Sequence, residues 1–240
     1  MKLAFVIDQL DSIKTGKDSS YAMIREALAR HHQIDVLYQH DIALIDNVVI
    51  GYARSLTLTD TPDLTGHWYQ TADRKPTPLH AFDAVFMRKD PPFDLEYLYS
   101  TYLLELAETQ GAWVINSARA IRDHNEKLAI SQFSAFTAPT LVTSQPHWIR
   151  DFLAEHRDII LKPLDGMGGA GVFRVHSTDH NLSVILETLT HYGTRTIMAQ
   201  RFLPEIVDGD KRILLVDGEV VPFALARIPM IGETRGNMAA

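Results

Sequence analysis

The segment that most constrains this chain is Ile159-Ile160-Leu161-Lys162-Pro163-Leu164-Asp165-Gly166-Met167-Gly168-Gly169-Ala170-Gly171-Val172-Phe173-Arg174-Val175. Two β-type runs flank a loop with four glycines, and the first run carries a lysine near its end. Glycine lets a backbone approach a ligand closely, with its N–H groups turned toward an anion. The familiar glycine loops of that kind lead from a strand into a helix. This one leads from strand to strand. Val172-Phe173-Arg174-Val175 alternates as a strand does, and Arg174 with His176 continues a helix poorly. An ordinary hairpin with a loose turn is the alternative, although four glycines exceed what most turns need.

Composition narrows the rest. A chain of 240 residues holds one large domain or two modest ones. It is 46% hydrophobic and 22% charged, as globular proteins are. No apolar run reaches bilayer-spanning length, and the start Met1-Lys2-Leu3-Ala4-Phe5-Val6-Ile7-Asp8 is too short for a signal peptide. Cysteine is absent, which excludes disulfides, thiolate metal sites and a catalytic cysteine. Together these favour a cytoplasmic location and no membrane partner. A net charge of −7 argues against nucleic acid as a partner, so any positive charge that binds phosphate must be local.

Along the chain, residues 2–8 read as a buried parallel strand closed by Asp8. Asp18-Ser19-Ser20 are good N-cap residues before Tyr21, Ile24, Ala27 and Leu28, which recur at helical spacing. Residues 34–38 follow as a second strand. This βαβ opening implies a parallel sheet with helices on its faces. Residues 41–80 read as short strands and a loop, 84–87 as a strand, 95–110 as a helix ended by Gly111, and 113–116 as a strand. Beyond that point 120–133 has helical character, 139–143 starts a strand and 147–156 forms a helix before the glycine hairpin. Residues 184–189 are helical, and 195–200 form a strand running into Arg201-Phe202-Leu203-Pro204. Residues 211–216 and 220–226 read as strands around the turn Asp217-Gly218.

Basic residues recur at strand ends and in loops: Arg88, Lys89, Lys127, Lys162, Arg212, Arg227 and Arg235. A solvated surface charge is the default for any one of them. In an acidic protein, however, their placement together points to an anionic ligand. Arg88 ends a strand, where parallel α/β sheets place ligands, and two prolines stiffen the loop after it.

At these residues a family resemblance becomes specific. The glycine hairpin with Lys162 resembles the lid of ATP-grasp enzymes. Met87-Arg88-Lys89-Asp90-Pro91-Pro92-Phe93-Asp94, Asn125-Glu126-Lys127-Leu128, Asp208-Gly209-Asp210-Lys211-Arg212, Ala226-Arg227-Ile228-Pro229 and Gly232-Glu233-Thr234-Arg235-Gly236-Asn237 are similar to segments of the bacterial glutathione synthetase family. The resemblance implies an α/β fold, α+β overall. A Rossmann-like pre-ATP-grasp substrate domain would span 1–120, and an ATP-grasp small subdomain with the lid 121–200. The ATP-grasp C-terminal subdomain would begin at 201–240. It implies ATP-dependent ligation of γ-glutamylcysteine and glycine, giving glutathione, ADP and phosphate, in a homo-oligomer.

Carried onto matching positions, the resemblance puts Lys127 and Lys162 on the ATP phosphates, with Lys162 also near the adenine. Gly166, Met167, Gly168, Gly169, Ala170 and Gly171 would be the lid. Gln200, Arg201, Phe202 and Leu203 would be the linker whose backbone recognises the adenine edge, with Phe202 and Leu203 beside the ring. Asp210 would line the nucleotide site. Arg212 and Arg227 would stabilise the transferring phosphoryl group, and Arg88, Arg235 and Asn237 would hold the peptide.

One departure stands out. The family's Mg²⁺ (or Mn²⁺) ligands, an acid followed by a Glu-x-Asn pair, have no counterpart after Arg227, where Glu233 is the only acid. The expectation is therefore that the metal ligands lie beyond residue 240 and that the sequence is C-terminally truncated. Another ATP-grasp carboxylate–amine ligase, such as a D-alanine–D-alanine ligase, and a non-catalytic ATP-binding module are the alternative readings.

Overall fold

The computed structural model describes residues 1–59 and 68–230. The chain divides into two compact units, Met1–His124 and Asn125–Ala240.

The first unit runs β1 (Lys2–Val6), α1 (Ser19–Ala29), β2 (Gln33–Leu37), β3 (Ile42–Ile45), β4 (Val48–Leu58), β5 (Tyr69–Thr71), β6 (Lys75–Pro78), β7 (Ala84–Met87), α2 (Leu95–Thr109), β8 (Val114–Ile115) and α3 (Ala118–Asp123). β1 pairs in parallel with β2 on one side and β7 on the other, and β7 pairs in parallel with β8. Alternation along β1 shows why this sheet is buried on both faces. Ala4 and Val6 pack with Leu104 and Ala107 of α2, whereas Leu3 and Phe5 pack with Ile24 of α1. Successive strand residues point to opposite faces, so an unbroken apolar run requires a helix layer on each side. Phe5 and Phe86 add a stacked pair with ring centres 4.8 Å apart.

α1 starts at the cap expected at Asp18, and the structure adds an aspartate cap, Asp94, at the start of α2. The Asp18 carboxylate accepts from the Tyr21 N–H at 2.9 Å, and Asp94 accepts from Tyr97 N–H at 2.9 Å. Each such cap is worth about 1 kcal/mol. The region expected to hold short strands is instead organised by β4, 11 residues long, which pairs antiparallel with β2, β3, β5 and β6. It starts from a tight turn in which Asp46 (φ 47°) and Asn47 (φ 63°) are both left-handed. Two left-handed central residues define the turn that matches strand twist in a hairpin.

The second unit contains β9 (Thr140–Thr143), α4 (Pro146–His156), β10 (Asp158–Pro163), β11 (Phe173–His176), α5 (Leu182–Thr190), β12 (Ile197–Arg201), β13 (Asp210–Arg212), β14 (Leu215–Val216), β15 (Glu219–Val220) and β16 (Leu225–Arg227). Its main sheet has the order β11-β10-β12-β9, antiparallel throughout. Ile159, Leu161, Val175, Ile197 and Ala199 bury one face against Ile149 and Leu153 of α4 and Ile185, Leu186 and Leu189 of α5. Residues of the opposite parity, among them Lys162, Gln200, Thr140 and Arg174, therefore share the other face.

Two expectations of continuity fail for local reasons. The expected helix over 120–133 breaks after Asp123. The Asn125 side chain accepts from the N–H groups of Lys127 (3.1 Å) and Leu128 (3.0 Å), offering the backbone an alternative to helix bonds. A 3₁₀ segment, Leu128–Phe136, follows and is itself kinked at Phe133. The two strands around Asp217-Gly218 are likewise interrupted. The turn forms and joins β14 to β15, but the outer ladder is a separate pair, β13 with β16. Pro222, between the ladders, has no N–H to donate. No helix among the described residues is long and apolar enough to cross a membrane.

Candidate nucleotide and ligase site

The glycine segment is a true strand-to-strand hairpin. β10 and β11 pair antiparallel with Leu161 opposite Phe173 and Ile159 opposite Val175. Between them the chain makes two successive turns, Ala170 N–H to Met167 O (3.2 Å) and Val172 N–H to Gly169 O (3.3 Å). Gly168, Gly169 and Gly171 have φ of 64°, 78° and 70°. That left-handed conformation costs other residues about 1–2 kcal/mol, which explains the glycine density.

The base of the loop is held from two sides. Asn125 donates from its side-chain amide to Leu164 O (3.3 Å), and the Lys127 ammonium donates to Gly166 O and to Glu126 (2.9 Å). On the other side Arg195 bonds both oxygens of Asp165, at 2.6 and 2.8 Å. Arg195 and Asp165 escaped sequence reading as a pair because 30 residues separate them.

Lys162 projects from β10 on the face opposite the helices. Its ammonium donates to Gln200 Oε1 at 2.6 Å, and Gln200 Nε2 donates to Thr140 Oγ1 at 2.8 Å. Burial, reinforced by the charge of Lys127, holds the Lys162 pKa below its ordinary value of 10.5. Two ammonium groups thus influence each other beside a loop of left-handed glycines, an arrangement that an incoming anion relieves.

The linker after β12 adds an aromatic surface. Phe202 N–H bonds Asp158 O at 3.0 Å, and the Arg174 guanidinium lies 3.7 Å from the centre of the Phe202 ring. Arg201 ends β12 and is exposed, and Leu203 is 46% exposed. Farther along, Asp210 and Arg227 form a two-pronged ion pair (2.7 and 2.6 Å) on the β13–β16 ribbon. Arg212, two residues on from Asp210, lies on the same face of β13 and is exposed.

Within the first unit, Arg88 follows β7 at its carboxyl end. Its Nε and one terminal nitrogen donate to the hydroxyls of Ser20 (3.1 Å) and Ser19 (2.7 Å), at the start of α1. Lys89 pairs with Asp8 at 2.7 Å, and the second Asp8 oxygen accepts from Asp90 N–H at 2.8 Å. Ser19 and Ser20 read from sequence as helix-start residues, and nothing local marks them as partners of Arg88. Arg235 and Asn237 lie outside the described residues.

Family comparison decides what this arrangement belongs to. Residues 1–122 match the prokaryotic glutathione synthetase N-terminal domain, and residues 126–240 match the prokaryotic glutathione synthetase ATP-grasp domain. The chain belongs to the prokaryotic glutathione synthetase family. A glutathione synthetase of Nitrosomonas europaea is 69% identical over 240 residues, covering 100% of this chain and 75% of that protein. One of Ralstonia nicotianae is 56% identical over 241 residues, covering 100% and 73%. Among solved structures, the D-cycloserine synthetase DcsG shares the fold with a TM-score of 0.61 at 17% identity, over 96% of this chain and 73% of that one. A RimK domain ATP-grasp protein from Sphaerobacter thermophilus does so with a TM-score of 0.57 at 18% identity, over 89% and 69%. The glutathione synthetase family thus supplies both domain types found here, an N-terminal domain and an ATP-grasp domain.

Proposed function

We propose that the chain ligates γ-glutamylcysteine to glycine, consuming ATP and releasing glutathione, ADP and phosphate. The observation that carries this reading is the convergence of Lys127 and Lys162 on a glycine hairpin closed by strands. It is supported by the family's two domains, matched in order along the chain.

A carboxylate is a poor electrophile. In this reading an oxygen of the cysteinyl carboxylate attacks the terminal phosphorus of ATP, and the bond to ADP breaks. The glycine nitrogen then attacks the acyl carbon, loses a proton, and expels phosphate. Lys127 and Lys162 hold the phosphates, while the N–H groups of 166–171 close over them. Arg212 and Arg227 stabilise charge on the transferring oxygens, with Asp210 fixing the Arg227 fork. Preorganised cations of this kind typically contribute on the order of 10²–10³ in rate each. The linker at 200–203 receives the adenine, with Phe202 and Leu203 along its ring. Arg88, steadied by Ser19 and Ser20, holds a substrate carboxylate.

A closed lid also keeps water from the acyl phosphate. Family members use ATP with Mg²⁺, which neutralises phosphate charge. Among the described residues no three histidine, aspartate or glutamate side chains gather into a metal cage, so no step is assigned to the ion. On this reading 1–120 is the substrate domain, 121–200 the lid subdomain and 201–240 the start of the C-terminal subdomain, in a cytoplasmic homo-oligomer.

Mass spectrometry of a reaction containing ATP, γ-glutamylcysteine and glycine tests the proposal. Glutathione should form only when all three are present. Product from D-alanine in place of both amino substrates would overturn it in favour of a different ATP-grasp ligase.

A further inference from the structure

We propose that Gln200 is a positioning residue for the Lys162 ammonium, and that its lack of charge leaves the full charge of Lys162 available to a nucleotide's phosphates. The inference rests on the nucleotide reading above and goes beyond the backbone role of the linker.

A backbone carbonyl only accepts hydrogen bonds, and an ammonium only donates them. Thr140 Oγ1 donates to Ala138 O at 2.8 Å, so its hydroxyl is left to accept from Gln200 Nε2, also at 2.8 Å. The amide nitrogen is thereby committed to Thr140, and the amide oxygen must face Lys162, whose Nζ lies 2.6 Å away. Reversing the amide would set a donor against the ammonium. Only one orientation satisfies both ends.

Strand register builds the same relationship. Thr140 and Gln200 are direct cross-strand partners on β9 and β12. Gln200 faces Ile160 across β10, one pleat from Lys162, and all of these residues lie on the face away from α4 and α5. A lysine stem has four rotatable carbons and loses much rotamer freedom when fixed. The amide oxygen fixes it before a ligand arrives, using one of the three ammonium donors.

The neutrality of the amide matters as much as its position. Glutamate here would form an ion pair with Lys162 and cancel the attraction that phosphate needs. Leucine would remove the acceptor and leave a partly buried ammonium beside the charge of Lys127. A merely structural amide, by contrast, would matter to the fold and not to how Lys162 meets its ligand.

The test is a double-mutant cycle on binding of the non-hydrolysable analogue AMPPNP, measured by calorimetry on the full chain. Gln200→Leu should weaken affinity about tenfold, the scale of one charge-assisted hydrogen bond. Lys162→Met should weaken it more, and Gln200→Leu should add less than about twofold on top of Lys162→Met. Gln200→Glu should weaken AMPPNP at least as much as the leucine change. Gln200→Met replaces the leucine variant should that one lose its cooperative melt. Equal weakening by Gln200→Leu with and without Lys162, or a glutamate variant that binds like the parent, overturns the positioning role and leaves the nucleotide reading intact. Parent-like affinity in Lys162→Met overturns the nucleotide reading, and this inference with it.

Discussion

The Arg174 guanidinium is bound on two sides at once. One edge holds both oxygens of Asp158, at distances from 2.6 to 3.2 Å, and one plane covers the Phe202 ring at 3.7 Å. Strand β11 and the segment after β12 are therefore joined through a single side chain, with Asp158 of β10 as the anchor. A planar, delocalised cation suits this double role, which lysine cannot reproduce.

Arg174→Met should keep the fold and weaken adenine nucleotides about three- to tenfold, the range of a cation–π contact plus its ordering effect. Arg174→Lys should recover little of the loss. Equilibrium titration with ATP and with a triphosphate lacking an adenine base separates the effects, because only the first should respond.

The Arg195–Asp165 pair is about one-third exposed on both sides, so its contribution to global stability should stay below about 1 kcal/mol. Its local effect should be larger. In Arg195→Met, hydrogen exchange of the amides at 166–171 should accelerate, while those of β10 and β12 stay protected. Uniform acceleration across the sheet would show that the pair supports the whole unit and not the loop base.

Gly171 has a φ of +70°, and an added Cβ would meet the Pro163 ring at 3.3 Å. Gly171→Ala should cost about 1–2 kcal/mol by the left-handed penalty alone. Urea denaturation reads this directly, and a midpoint equal to the parent's would contradict the assigned backbone.

Lys162 gives the pH dependence. Burial and Lys127 set its pKa below 10.5, so the folded chain releases this proton before the unfolded chain does. From this group alone, stability rises with pH between the lowered value and 10.5, because the unfolded state binds more protons there. If Lys162 holds nucleotide phosphates as proposed, affinity should move the other way, falling as pH rises through the lowered value. Lys162→Arg, always charged, should abolish that fall in affinity.

Sequence order revealed the pieces governed by local rules. The cap at Asp18, the two-faced burial of β1 and the glycine hairpin each follow from residues within a turn or a strand of one another. What stayed hidden depends on register or on one competing side chain. Thr140 meets Gln200 across 60 residues, and Arg88 meets Ser19 across 69. Asn125 ended a helix that periodicity alone would continue, and the Asp46-Asn47 turn that launches β4 is a hairpin signal that the surrounding Thr- and Pro-rich composition obscured. Lys127 gained its place on the loop from that same helix break.

In the proposed reaction the chain activates a carboxylate by transferring a phosphoryl group to it. γ-Glutamylcysteine carrying ¹⁸O in its cysteinyl carboxylate, incubated with ATP and glycine, reports this step through mass analysis of the released phosphate. One ¹⁸O should appear in each phosphate, because the carboxylate oxygen stays on phosphorus when the amide forms. Glutathione formed with unlabelled phosphate would contradict the proposed reaction.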